Sequence, residues 1–91
     1  MNNIVMYATA TCPYCHAAER LLHSRDISDI TFIRVDLDFD KRKEMIDRTG
    51  RRTVPQIYIN DHHVGGFDDL QALDHSGELN HLLNAKRINL D

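Results

Sequence analysis

Cys12 and Cys15, separated by Pro13 and Tyr14, stand where an apolar run, Ile4 to Tyr7, gives way to a segment of helical composition. A cysteine pair at that place marks a strand-to-helix junction near the start of the chain. Pro13 suits the first turn of a helix, because its missing N–H is not needed there and its φ is already helical. Cys12 is therefore the expected N-cap, facing unpaired backbone N–H groups and the positive end of the helix dipole, where a thiolate is favoured over a thiol. The dipole is too weak to shift a thiol far, so N–H groups around Tyr14 and Cys15 must supply the rest. Cys15 begins the first helical turn and should be the more buried, which assigns nucleophilic attack to Cys12. Two cysteines in 91 residues are too few for the disulfide framework of a small secreted domain. In a reducing compartment such a pair is more often redox-active or metal-binding than structural.

The rest of the chain places that junction in a layered fold. Ile4 to Tyr7 carries no charge and reads as a buried strand. From Pro13 to about Arg25, Ala17, Ala18, Leu21 and Leu22 recur at helical spacing. Ile30, Phe32, Ile33 and Val35 predict a second strand, and Phe39 to Thr49 a second helix stopped by Gly50. Val54 to Ile59 is a third strand entered through Pro55; Asn60 and Asp61 supply a turn, and His62 to Gly65 returns as its hairpin partner. Leu70, Leu73, Leu79, Leu82 and Leu83 form a last periodic segment, interrupted near Ser76 and Gly77, as one broken helix or two short ones. This order implies one right-handed βαβ crossover followed by a hairpin, an α/β sandwich with helices on both sheet faces. A single domain over residues 1–85 and a tail over 86–91 are expected.

Bulk properties narrow the partners. No apolar run approaches the roughly 20 residues of a membrane span, and no basic flank precedes a long apolar segment, so a cytoplasmic protein without a membrane partner is expected. Eleven basic and 14 acidic side chains are spread along the chain, giving a net charge of −3, which argues against general nucleic-acid binding and favours small partners.

Three separated motifs then coincide: CPYC at Cys12 to Cys15, TVP at Thr53 to Pro55, and GG-x-DD at Gly65 to Asp69. With the element order they resemble a dithiol glutaredoxin of the thioredoxin superfamily over about residues 3–84. The resemblance implies a thioredoxin-like three-layer sandwich with a four-stranded mixed sheet, and a glutathione-dependent thiol–disulfide oxidoreductase. It implies that Cys12 is the nucleophile and Cys15 the resolving thiol. It also implies that Tyr14, Thr53, Val54 (through its backbone), a cis Pro55, and Asp68 with Asp69 hold glutathione, while Arg42 and Arg52 meet its glycine carboxylate. Many members carry a lysine three residues before the first cysteine; here that residue is Thr9, which throws the carboxylate clamp onto the arginines. Glutathione is implied as co-substrate, with no tightly bound cofactor and no metal. Disulfide-bonded or glutathionylated proteins are the implied partners, ribonucleotide reductase among the family-level candidates, and a monomer is expected.

Other readings of the same residues are weaker. A closed zinc site wants four ligands, and adjacent His62 and His63 should point to opposite strand faces, a poor second pair. Cys12 to His16 spells the c-type haem attachment pattern, but within a βαβ unit with no export signal. His16 reads as an exposed residue of the first helical turn, and Arg51 with Arg52 as a charge pair of which Arg52 is the substrate candidate. Two rival functions remain open: a redoxin reduced by a flavoprotein thioredoxin reductase, and a carrier in which two chains and two glutathiones share an iron–sulfur cluster.

Overall fold

In this computed structural model, residues 3–88 are described, with side chains as far as residue 83. Alternation along two central strands divides the interior. β1 (Ile4–Ala8) turns Ile4, Met6 and Ala8 to one face and Tyr7 to the other, and β3 (Gln56–Ile59) turns Ile57 and Ile59 one way and Tyr58 the other. Both strands are therefore buried on two sides. On the first side lie α1 (Pro13–Ser24), α3 (Phe67–Ser76) and α4 (Glu78–Ile88), which contribute Ala18, Leu22, Leu70, Leu79 and Leu83. On the second, α2 (Phe39–Thr49) supplies Met45, which packs with Tyr7, Val35 and Tyr58.

The sheet is completed by β2 (Ile30–Arg34) and β4 (His62–Gly65), in the order β2-β1-β3-β4. β1 and β2 are parallel, Ile4 opposite Ile30, while β3 runs antiparallel to both β1 and β4. The mixed four-stranded sheet with helices on both faces is thus as expected, and the interrupted last segment is two helices. Gly77 divides them in the left-handed conformation (φ 86°), as Gly50 ends α2 (φ 72°). Asn60 and Asp61 both take positive φ, 50° and 68°, the backbone that a two-residue hairpin turn requires.

The boundaries differ in two places. β3 begins at Gln56 rather than Val54: Pro55 has no N–H to give to a ladder, Thr53 and Val54 bend, and pairing starts with Gln56 opposite Tyr7. The tail expected from residue 86 opens as the last turn of α4, which runs to Ile88, and residues 89–91 lie outside the described residues. Among the described residues no helix is long and apolar enough to cross a membrane.

Behind the sheet, on the α2 side, the Tyr7 hydroxyl donates to Glu44 (2.6 Å) and accepts from Arg48 Nη1 (2.8 Å), and the Arg48 guanidinium lies 4.2 Å from the centre of the Tyr58 ring. Burial, followed by the Glu44 carboxylate, pushes the Tyr7 hydroxyl above its ordinary pKa. On the other face Ile57 is fully buried. Ile57→Ala should lower the unfolding free energy by about 2–5 kcal/mol, read as a lower urea midpoint at unchanged slope. A midpoint equal to that of the unsubstituted chain would show that the core collapses around the lost atoms.

Candidate active site

The parallel pair β1 and β2 ends at one edge of the sheet, and the chain leaves β1 directly into the cysteine turn. Cys12 is the N-cap of α1, with extended backbone (φ −103°, ψ 106°), and Pro13 follows in the first turn. Its sulfur accepts the Cys15 N–H at 3.1 Å, and its carbonyl accepts the His16 N–H at 3.2 Å. An acceptor at that place satisfies one of the orphan donors of the helix start and stands at the positive end of the helix dipole. While protonated, the same sulfur can donate to the Val54 carbonyl 3.7 Å away.

Both cysteines are free thiols and both are buried, Cys12 at 8% and Cys15 at 4% exposure, so their difference lies in their partners more than in access. Burial is the main cause that pushes the Cys15 thiol up to about 12; the hydrogen bond with Cys12 adds to it, and one from the Thr9 backbone opposes it. Cys15 is accordingly a thiol at neutral pH. The turn is tied to β2 through Asp36, whose carboxylate accepts the Ala10 N–H (3.2 Å) and is gripped by Arg34 through two bonds of 2.7 Å. Those bonds to Arg34 are the largest reason that the Asp36 carboxyl lies far below the usual carboxylate range.

Beside the sulfur opens a cleft of about 360 Å³. One wall is the segment Thr53 to Gln56, whose Val54–Pro55 peptide is cis. Among the described residues the Val54 N–H donates to none. The opposite wall is the start of α3. Gly65 (φ 113°) and Gly66 turn the chain there, and the Asp69 carboxylate reaches back to the Gly66 N–H at 2.9 Å. The same carboxylate accepts from Arg51 Nη1 at 2.9 Å. The Gly66 bond, then that to Arg51, holds the Asp69 carboxyl below its ordinary pKa. Exposed Tyr14 closes one end by stacking on Phe67, with centroids 6.1 Å apart and planes 28° from parallel. Asp68, exposed at the first turn of α3, completes the rim.

Of the residues expected from the sequence, Tyr14, Thr53, Val54, Pro55, Asp68 and Asp69 are brought around this one cleft, with Cys12 against its Val54 wall and Cys15 behind Cys12. Arg42 and Arg52 are not part of its lining; Arg42 Nη2 donates to the Arg52 carbonyl at 3.4 Å. The cation that does line it is Arg51, and Gln56 and Phe67 join it there. Thr9 lines a separate cleft of about 310 Å³ together with Cys15, His16 and Arg34. His16 is exposed, as expected, and its Nε2 lies 3.1 Å from the Ala10 carbonyl.

The glutaredoxin family profile matches residues 4–64. Glutaredoxin 3 of Escherichia coli is 51% identical over 83 residues, covering 91% of this chain and 99% of that protein. The solution structure of a dithiolic glutaredoxin from Trypanosoma brucei brucei superposes with a TM-score of 0.80 at 44% identity, over 90% of this chain and 87% of the other. A buckwheat glutaredoxin solved as a glutathione complex superposes with a TM-score of 0.83 at 26% identity, over 92% and 78% of the two chains.

Proposed function

The chain belongs to the dithiol glutaredoxins, which are glutathione-dependent disulfide oxidoreductases, and on that premise we propose that Cys12 is its nucleophile and Cys15 its resolving thiol. One observation carries this reading: a sulfur at a helix start, holding the Cys15 N–H at 3.1 Å, lies 3.7 Å from the carbonyl of Val54, a residue in the wall of a peptide-sized cleft.

Glutathione is the occupant we assign to that cleft. It is an extended peptide with an ammonium group at one end and a carboxylate at each. The backbone N–H and C=O of Val54 pair with its peptide as an added strand would. The N–H groups at the start of α3 receive the γ-glutamyl carboxylate. Its ammonium goes to Asp68, because Asp69 is already engaged by Gly66 and Arg51. Tyr14 covers the cysteinyl part, Thr53 and Pro55 shape the wall beneath it, and Arg42 and Arg52, which stand outside the lining, supply positive charge for the glycine carboxylate, while Arg51 stays paired with Asp69 at the start of α3.

On a glutathionylated substrate, the Cys12 thiolate attacks the glutathione sulfur, and the substrate leaves as a thiolate that takes up a proton. A second glutathione thiolate attacks the glutathione sulfur held on Cys12, expelling Cys12 as thiolate and releasing oxidised glutathione. On a protein disulfide, Cys12 forms a mixed disulfide and Cys15 attacks the Cys12 sulfur. The protein leaves as a dithiol, and the Cys12–Cys15 bond is reduced by two glutathiones. A stabilised Cys12 thiolate gains little in attack, since nucleophilicity falls with basicity, but it gains as a leaving group. Small glutathione mixed disulfides and disulfide-bonded proteins are thus the substrate classes.

Cys15→Ser separates the two routes. It should keep reduction of a small glutathione mixed disulfide within about threefold, because that route uses one sulfur, and should abolish reduction of an intramolecular protein disulfide. Both are followed as NADPH consumption with glutathione and glutathione reductase. Equal loss of both activities overturns the assignment of Cys15, and turnover that needs thioredoxin reductase in place of glutathione overturns the reading as a whole.

A further inference from the structure

Among the described residues Gln56 is the one amide or charged side chain that is buried, at 1% exposure, and it sits in the wall of the cleft. A buried amide must have its hydrogen bonds made, and here both ends are used. Gln56 Nε2 donates to the Thr53 carbonyl at 3.0 Å, and Oε1 lies 2.9 Å from His63 Nε2 on β4. The two contacts fix each other. A carbonyl can only accept, so the nitrogen of the amide must face Thr53, the oxygen must face His63, and His63 must donate from Nε2.

The imidazole is held in turn. Its ring lies on Tyr58 with centroids 5.0 Å apart, and the Arg48 guanidinium lies 4.2 Å from the centre of the same Tyr58 ring. Tyr58 and His63 are paired across β3 and β4 beside a register shift. The charged and titratable groups that act on His63 are Arg51, Asp69, His62 and Arg48; burial first, then Arg51, keeps its pKa below the ordinary value, so the ring is neutral at neutral pH.

We propose that His63 is a positioning residue for glutathione: through the amide of Gln56 it fixes the Thr53 carbonyl, and with it the Thr53–Val54 backbone edge against which the tripeptide is laid. This rests on glutathione as the occupant of the cleft, proposed above. His63 does not touch the reacting sulfurs, so its removal should alter the use of glutathione and leave the chemistry of Cys12 alone.

The test uses His63→Phe, which keeps a ring on Tyr58 and removes the donor, and His63→Gln, which returns an N–H at similar reach without the ring. With a glutathionylated peptide as substrate, His63→Phe should raise KM for glutathione about five- to tenfold, the worth of one buried hydrogen bond. The kcat and the rate of Cys12 alkylation by iodoacetamide should stay within about twofold of the unsubstituted chain, and His63→Gln should restore KM to the same range. An unchanged KM in His63→Phe overturns the inference. So does a His63→Gln variant as impaired as His63→Phe, or an alkylation rate that falls as far as KM rises. Should His63→Phe prove unfolded by its urea curve, Gln56→Met removes both ends of the bridge at similar length, and the same KM rise is required there. If the unsubstituted chain itself shows no saturable dependence on glutathione, the proposed function fails; saturation with KM unmoved by the variants sinks the role of His63 alone.

Discussion

Replacing Cys12 with serine is expected to cut turnover by at least about a thousandfold in the coupled assay, on small mixed disulfides and protein disulfides alike. The sulfur has two tasks, and a hydroxyl fails at both. A serine is not ionised near neutrality, and an alkoxide leaves far less readily than a thiolate when the next thiol arrives. The fold should not suffer. Serine is among the best N-cap residues, and its oxygen can accept the Cys15 N–H that the sulfur now accepts at 3.1 Å. The loss can therefore be read as lost chemistry, provided that the urea midpoint of the variant stays close to that of the unsubstituted chain. Turnover within tenfold of normal would mean that Cys15, or no cysteine at all, performs the attack.

This separation of chemistry from folding has a counterpart in what the sequence allowed to be seen. Features encoded by neighbours along the chain are legible: the Cys12 cap with Pro13 behind it, the Gly50 stop, the Asn60–Asp61 turn, and the two-sided burial of β1 that follows from the uninterrupted apolar run Ile4 to Tyr7. Features that depend on a partner far along the chain are not. In the sequence Arg51 reads as half of a solvated charge pair, because the acid that holds it, Asp69, is 18 positions away and arrives only when the β3–β4 hairpin folds back. Arg42 and Arg52 carry the same charge a few positions off, and charge alone cannot say which guanidinium faces the cleft. Gln56 did leave a signal. A single amide inside the run Val54 to Ile59 has to find partners, and its position two residues before Tyr58 puts both on the same sheet face, where Tyr58 meets His63 across the ladder. The start of β3 is displaced for a related reason: in the sequence Pro55 reads as the entrance to a strand, whereas the ladder needs an N–H and waits until Gln56.

Gly65→Ala is expected to damage both stability and glutathione binding, and the two losses have separable causes. At φ 113° the backbone is in a region that side chains rarely enter, and an alanine there costs about 1–3 kcal/mol that no rearrangement of neighbours removes. A methyl group would also collide with Asp69 Oδ2 and stand 2.8 Å from its Cγ and 3.0 Å from Arg51 Nη1. Those are side-chain atoms, so the clash can be relieved by turning Asp69 away. Turning it away breaks its bond to the Gly66 N–H and its pairing with Arg51, together the lock on the first turn of α3. Loss of such a cap costs about another 0.5–2 kcal/mol, for a total of about 1.5–5 kcal/mol, read from urea unfolding. Glutathione should suffer more than the thiol does: KM should rise at least about tenfold, since the N–H groups offered to the γ-glutamyl carboxylate move with that turn, while Cys12 alkylation by iodoacetamide continues at close to its normal rate. Gly50→Ala is the matched control. It also has positive φ, 72°, but nothing lies within 4 Å of the added carbon, so it should cost about 1 kcal/mol and leave KM alone. If the two alanines behave alike, crowding against Asp69 and Arg51 contributes nothing, and the turn at Gly65 is an ordinary glycine turn with no hold on the cleft.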